Sequence, residues 1–191
     1  MVVTTSKRYT PAEYLVQEAQ ATVKSELIQG EIIPMAGGSA NHNRLTGKLH
    51  ARLLLALEDL DYAVFMSDMW LWLPLHESYA YPDVMAVAAT PQFTDDKQTA
   101  LTNPCLIGEI LSPSTERYDK SAKFKLYRSL PTLQEYVLVD QTAYRVEQHT
   151  KVERHQWLLT EWIGADAMVP LKSVPVEVTL KDLYKRVVFE G

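Results

Sequence analysis

Two carboxylates and one amine in this chain have the types and spacing that phosphodiester chemistry needs. Asp83 follows Pro82 at the head of the apolar run "VMAVAA", and Glu109 lies inside the apolar run "CLIGEIL". A buried carboxylate without a partner is costly, so it neutralises, pairs or binds a metal. Two acids on neighbouring strands can hold a divalent cation through oxygen; Mg²⁺ takes a few carboxylates together with waters and substrate phosphate. A plainer reading competes: Glu109 forms a salt bridge to a helix and Asp83 caps a turn. Further along, Asp119, Lys123 and Tyr127 recur at i, i+4 and i+8, which a helix places along one face. Lys123 can therefore be a cation that offsets developing negative charge, or a surface lysine paired with Asp119.

The elements that must carry these groups are legible in outline. "TPAE" has Thr10 as N-cap, Pro11 at the first helical position and Glu13 closing a capping box, and it starts a helix to about Gln20. "SELIQGEIIPM" reads as a hairpin turning at Gln29-Gly30. A helix from about Asn41 to Leu60 has Leu45, Leu49, Leu53, Ala56 and Leu60 near one face. Strands are expected at "YAVFMSDMWLWLPL", "PDVMAVAA", "CLIGEILS", "LQEYVLVD", "AYRVEQHT" and "ERHQWLLTEWI". A helix over about 117–129 ends before Pro131, and Thr179 caps a short closing helix. This order predicts a single α/β domain over 1–191, with a mixed central sheet flanked by helices and additional antiparallel strands.

Composition narrows the function classes. Hydrophobic residues make up 47% and charged residues 23%, which excludes wholesale disorder. One cysteine, Cys105, excludes an internal disulfide and a cysteine zinc cluster. No apolar run approaches membrane-spanning length, and "MVVTTSKRYT" has no signal-peptide pattern, so a cytoplasmic protein is expected. The net charge of −5 means that any nucleic acid must meet a local basic face. Arg117, Lys120, Lys125 and Arg128 supply one expected face.

"YPDVMAVA" followed by "LIGEILSPSTERYDKSAKFKLYRSLPTLQEYVLVD" resembles the Uma-two family of endonucleases, in the PD-(D/E)XK restriction-endonuclease-like superfamily. "SELIQGEIIPMAGGSANHNRLTGKL" is similar to that family's glutamate-rich hairpin and histidine-bearing helix. The resemblance spans about residues 8–185. That superfamily usually has its lysine two residues after the acid, where this chain has Leu111. The resemblance thus implies a lysine displaced to the following helix, Lys123, with Lys120 as competitor one register earlier.

On the same grounds Asp83 and Glu109, with the Ile110 carbonyl, would bind Mg²⁺ or Mn²⁺, and Lys123 would orient or activate water. Asp119 and Tyr127 would position Lys123. Glu31 matches a family acid that can join the metal site, or it pairs across the hairpin; Glu26 reads as structural because Leu27 takes the core side. His42 is a possible proton carrier or substrate contact, or else a helix cap. The implied activity is metal-dependent endonucleolytic hydrolysis of DNA by a homodimer. The alternative is an inactive nuclease-fold module that binds nucleic acid or assembles with protein. Trp70, Trp72, Trp157 and Trp162 are expected in core or subunit contacts, and Ser112 and Ser114 as helix caps rather than nucleophiles.

Overall fold

Apolar alternation along one buried strand sets out the architecture around it. In "LIGEIL", Leu106, Gly108 and Ile110 point to one face of the sheet, and Ile107, Glu109 and Leu111 to the other. The computed structural model describes residues 7–35 and 37–189; the opening "MVVTTS" of the leader reading lies outside them. The first half contains α1 (Pro11–Glu18), β1 (Ser25–Ile28), β2 (Glu31–Pro34), α2 (Ala40–Leu57), β3 (Tyr62–Met66), β4 (Trp70–Leu73), β5 (Ser78–Ala80) and β6 (Val84–Ala88). Then come β7 (Ala100–Leu101), β8 (Leu106–Leu111), α3 (Glu116–Tyr118), a π turn (Asp119–Lys123) and α4 (Phe124–Tyr127). The chain continues through β9 (Glu135–Asp140), β10 (Arg145–Glu153), β11 (Gln156–Ile163), β12 (Met168–Pro170), β13 (Glu177–Thr179) and α5 (Leu180–Leu183).

The central sheet has the order β11-β10-β9-β8-β6-β3, with β8 and β9 parallel and the other pairs antiparallel. It is the mixed sheet that the sequence predicts. On one face α2 buries Leu45, Leu49, Leu53 and Leu57 against Val84, Leu106 and Ile110. The approach is close at Gly108, where a Cβ would come within 2.8 Å of Leu49 Cδ2. On the other face α4 packs Leu126 and Tyr127 against Ile107, Leu111 and Leu138. A second sheet, β2-β1-β5-β4-β7, joins that same layer through Leu71, Leu73, Ala80 and Leu101.

Several boundaries differ from the sequence reading for local reasons. The stretch "YAVFMSDMWLWLPL" is two strands in two sheets, broken at Ser67, which takes φ 43° without a glycine or proline to mark the turn. Leu57 completes the buried stripe of α2, whereas Ala56 and Leu60 are exposed. The hairpin does turn at Gln29-Gly30, both with positive φ (50° and 88°), as a two-residue primed turn requires. Thr179 makes no side-chain cap to the α5 backbone; its hydroxyl donates to Asp182 at 2.8 Å. Trp70 and Trp72 pack on Tyr79, and Trp70 also on Tyr14 of α1, so the chain itself covers the second face of β4. Among the described residues, no helix is long and apolar enough to cross a membrane.

Candidate active site

Antiparallel pairing of β6 with β8 sets Val84 opposite Gly108, which leaves Asp83 beside Glu109 at one end of the sheet. Backbone amides fasten the two acids to each other's strands. Asp83 N–H donates to Glu109 Oε2 at 3.3 Å, and Ile110 N–H donates to Asp83 Oδ2 at 2.8 Å. From the opposite layer, the first turn of α2 brings in His42, with Nε2 3.1 Å from Asp83 Oδ2. Ser39 caps that helix by accepting from the His42 amide, which fixes where the imidazole starts. The hydrogen bond that His42 donates to Asp83 holds its pKa above the usual histidine value, against burial.

Glu109 points to the α4 side because of its place in the alternation, and there it meets the helix. Lys123 Nζ lies 3.1 Å from Glu109 Oε1, 3.3 Å from Glu26 Oε1 and 3.6 Å from Asp119 Oδ1. The Tyr127 hydroxyl donates to the same Glu109 oxygen at 2.8 Å. Asp119 and Lys123 begin and end the π turn, a widened turn of the kind often found at functional sites. Glu109 and Lys123 are only 3% and 7% exposed. Burial pushes the Glu109 carboxyl well above its ordinary range, and Asp83, Asp119 and Glu26 add to that push while Lys123 opposes it. Burial likewise raises Asp119. For Lys123 burial disfavours the charge, yet Glu109, Glu26 and Asp119 outweigh it and hold the amine well above the usual lysine value. It is therefore an ammonium at neutral pH.

Glu26, His42, Asp83, Glu109, Asp119 and Lys123 line a cavity of about 470 Å³, together with Ser39, Ser112, Thr115 and Tyr118. The Tyr118 hydroxyl is buried there with no hydrogen-bond partner among the described residues. This contrast yields a stability prediction. Tyr118→Phe removes no bond and should leave unfolding within about 0.5 kcal/mol of wild type. Tyr127→Phe strips a buried donor from Glu109 and should cost about 1–3 kcal/mol. Urea denaturation of both variants checks the pair; equal losses would mean that the Tyr118 hydroxyl has a partner in solution.

The structure brings together Asp83, Glu109, Lys123, His42, Asp119 and Tyr127, and Ile110 lines the same cavity. Glu31 is not in the cavity lining: it pairs with Ile28 at the turn end of the hairpin and is exposed. The hairpin acid that reaches Lys123 is Glu26, also held by the Tyr81 amide at 3.0 Å. Sequence reasoning assigned Glu26 to structure because Leu27 faces the core. Leu27 does pack beside Tyr14, but the other face of β1 is covered as well, by the helix that carries Lys123.

Lys120, the competing cation, turns away and pairs with Glu116 at 2.6 Å and Glu147 at 2.7 Å. Arg128 lies over the Phe124 ring, and Lys125 is exposed on α4. Neither they nor Arg117 line the cavity. Ser112 accepts from the Thr115 amide at 3.2 Å and shares hydroxyl contacts with Ser114 and Thr115, a helix-start role. Trp157 packs edge-on to Phe124, and Trp162 donates to Gln148 at 2.9 Å.

The arrangement has a chemical bias. Glu26, Asp83, Glu109 and Asp119 face Lys123 and His42, leaving an excess of buried hard-oxygen acid, which suits a Mg²⁺-like or Mn²⁺-like ion. Among the described residues no three or more His, Cys, Asp or Glu side chains converge as a ready cage. Two strand carboxylates completed by waters is nonetheless the pattern that Mg²⁺ takes.

A family model named Uma2 and described as "Putative restriction endonuclease" matches residues 11–181. Two proteins of Synechocystis sp. (strain PCC 6803) are similar along their length, both described as uncharacterized. One, sll1609, is 57% identical over 92% of this chain and 99% of its own. The other, slr1290, is 34% identical over 95% of this chain and 94% of its own. A crystal structure from Anabaena variabilis, described as "a putative nuclease belonging to DUF820", superposes with a TM-score of 0.72. It covers 94% of this chain and 99% of that one at 17% identity, a likeness of fold.

Proposed function

The chain belongs to the Uma2 family of restriction-endonuclease-like proteins, and on that premise we propose that it is a divalent-metal-dependent nuclease hydrolysing DNA phosphodiester bonds. The observation that carries this reading is the meeting of Glu109 and Lys123 at 3.1 Å, next to Asp83, in one cavity. Asp83 and Glu109 are the ligands assigned to Mg²⁺ or Mn²⁺, with the Ile110 carbonyl beside them. When bound, such an ion lowers the pKa of a water and offsets charge on the phosphoryl oxygens.

The protein groups do the rest. Lys123 stays protonated, so it orients water and neutralises charge rather than accepting a proton. Asp119, Glu26 and Tyr127 fix the amine and the carboxylate it serves. His42, raised by Asp83, can carry a proton at the rim on the α2 side. The Tyr118 hydroxyl, without a hydrogen-bond partner among the described residues, belongs to the lining of the same cavity.

A metal titration tests the reading without a cleavage assay. Millimolar Mg²⁺ or Mn²⁺ should raise the melting temperature, as any ligand of the native state does. Ligands must lose their protons to bind metal. Since Glu109 is raised, the shift should be larger at pH 8 than at pH 5.5. Wild-type protein whose melting temperature ignores both ions at pH 8 would instead support a nuclease-fold module that binds or assembles without catalysis.

A further inference from the structure

The outer face of α2 holds Arg44, Lys48 and Arg52 at i, i+4 and i+8, with the leucine stripe on the inner face. The C-terminal segment runs antiparallel beside this helix and is fastened at both ends. Arg52 pairs with Asp182 at 3.0 Å, and Lys48 donates to the carbonyls of Asp182 and Lys185. At the other end, Asn41 Nδ2 donates to the Val188 carbonyl at 2.6 Å, and the Val188 amide to Asn41 Oδ1 at 3.3 Å. Lys185 and Arg186 are thereby held between those ends, both exposed. Burial and then the nearby charges of Lys185, Arg186 and Arg52 depress the Lys48 amine, so the cations share one field.

Two further facts give the seam a direction and a reason. Arg186 has φ 68°, a left-handed conformation that strains a non-glycine residue. Glycine would relieve that strain, yet a cation stands there. The seam also ends at the site: Asn41 adjoins His42, which touches Asp83. At 1.5 Å rise per residue, His42 to Arg52 spans about 15 Å. That matches about four phosphates of one DNA strand, spaced roughly 3.4 Å along the axis. In a chain of net charge −5, such a concentration of cations is where a polyanion would be drawn.

We propose that Arg44, Lys48, Arg52, Lys185 and Arg186 form a phosphate track that seats the duplex DNA backbone flanking the bond to be cut. The proposal rests on the nuclease reading for its choice of ligand, but binding can be measured apart from cleavage. The full chain is titrated, in EDTA, against a labelled duplex of about 20 base pairs, roughly two helical turns. Arg44, Lys185 and Arg186 are changed together to Gln, Gln and Gly; Lys48 and Arg52 stay because they hold the C-terminal segment. At about 0.1 M salt the triple variant should bind about 10-fold or more weakly, and its log-log salt slope should fall by about 2–3. Lys97→Gln with Arg154→Gln, exposed cations in loops outside the seam, should remain within about two-fold of wild type.

Equal binding by wild type and the triple variant, an equal loss in the control, or no duplex binding by wild type would overturn the track. A wild type that binds through the seam but never cleaves with Mg²⁺ or Mn²⁺ overturns the nuclease reading and leaves the track standing. A triple variant that cleaves and binds like wild type does the reverse.

Discussion

Asp83→Asn and Glu109→Gln should each lower Mg²⁺-dependent or Mn²⁺-dependent nicking of supercoiled DNA by about 10³-fold or more, because each removes an anionic ligand where charge must be offset. The isosteric changes matter. Asp83 accepts the Ile110 amide at 2.8 Å, and alanine there would orphan a buried donor at a cost of about 1–3 kcal/mol. Asparagine can keep that bond through its carbonyl oxygen, so an inactive but folded protein is the expected product, judged by circular dichroism and melting temperature. Glu109→Gln carries a second readout. The folded carboxyl is raised above its unfolded value, so its contribution to stability is present below the ordinary glutamate range and lost as pH rises through the folded pKa. The glutamine variant has no such loss, so its melting temperature should gain on wild type from pH 5 upward. Wild-type cleavage rates in both variants would remove Asp83 and Glu109 from the chemistry.

Lys123→Met should produce a large stability loss together with loss of cleavage. The ammonium is the only cation within 4 Å of Glu109 among the described residues, and it also serves Glu26 and Asp119. Removing one member of a buried ionic group leaves the others uncompensated, at a cost of about 3–5 kcal/mol. The sign with pH follows. The Lys123 pKa is raised on folding, so its stabilisation is fully present below the ordinary lysine range and lost only as pH rises through the higher folded value. Wild type thus keeps it at neutrality. In the methionine variant the carboxylates can relax only by taking up protons, so the deficit should be larger at pH 8 than at pH 5. Divalent cation should restore part of it. Lys123→Arg keeps the charge but not the compact amine, and is expected to fold better than it cleaves. A methionine variant with the same deficit at both pH values would mean that the carboxylates are already protonated or solvated.

Alternation and helical spacing are strictly local, and they made part of the site legible. "LIGEIL" places Glu109 on the face opposite Ile110, and Asp119, Lys123 and Tyr127 share a helix face. Spacing left open whether that face meets solvent or Glu109; in the structure it meets Glu109, even though the helix opens into a π turn between Asp119 and Lys123. The homology of the front half to a glutamate-rich hairpin was also legible, but not which glutamate turns inward. Glu26 is buried because β1 is covered on both faces, and no pattern within "SELIQGEI" records what covers the second face. The break at Ser67 was hidden for a related reason: its left-handed backbone is imposed by strands leaving for different sheets.

By itself, then, the sequence determined the mixed α/β class, the two strand acids and the shared helix face of Asp119, Lys123 and Tyr127, because these depend on residue types and on periods of two and nearly four. The family came as a resemblance carried by its motifs. Only the tertiary structure decided that Glu26 rather than Glu31 meets Lys123, that Lys120 belongs to Glu116 and Glu147, and that the α2 cations line up with Lys185 and Arg186. Each of those outcomes depends on which layers cover a strand and which distant segment lies beside a helix. Such contacts are set by the packing of the whole chain, and the local order of side chains has no term for them.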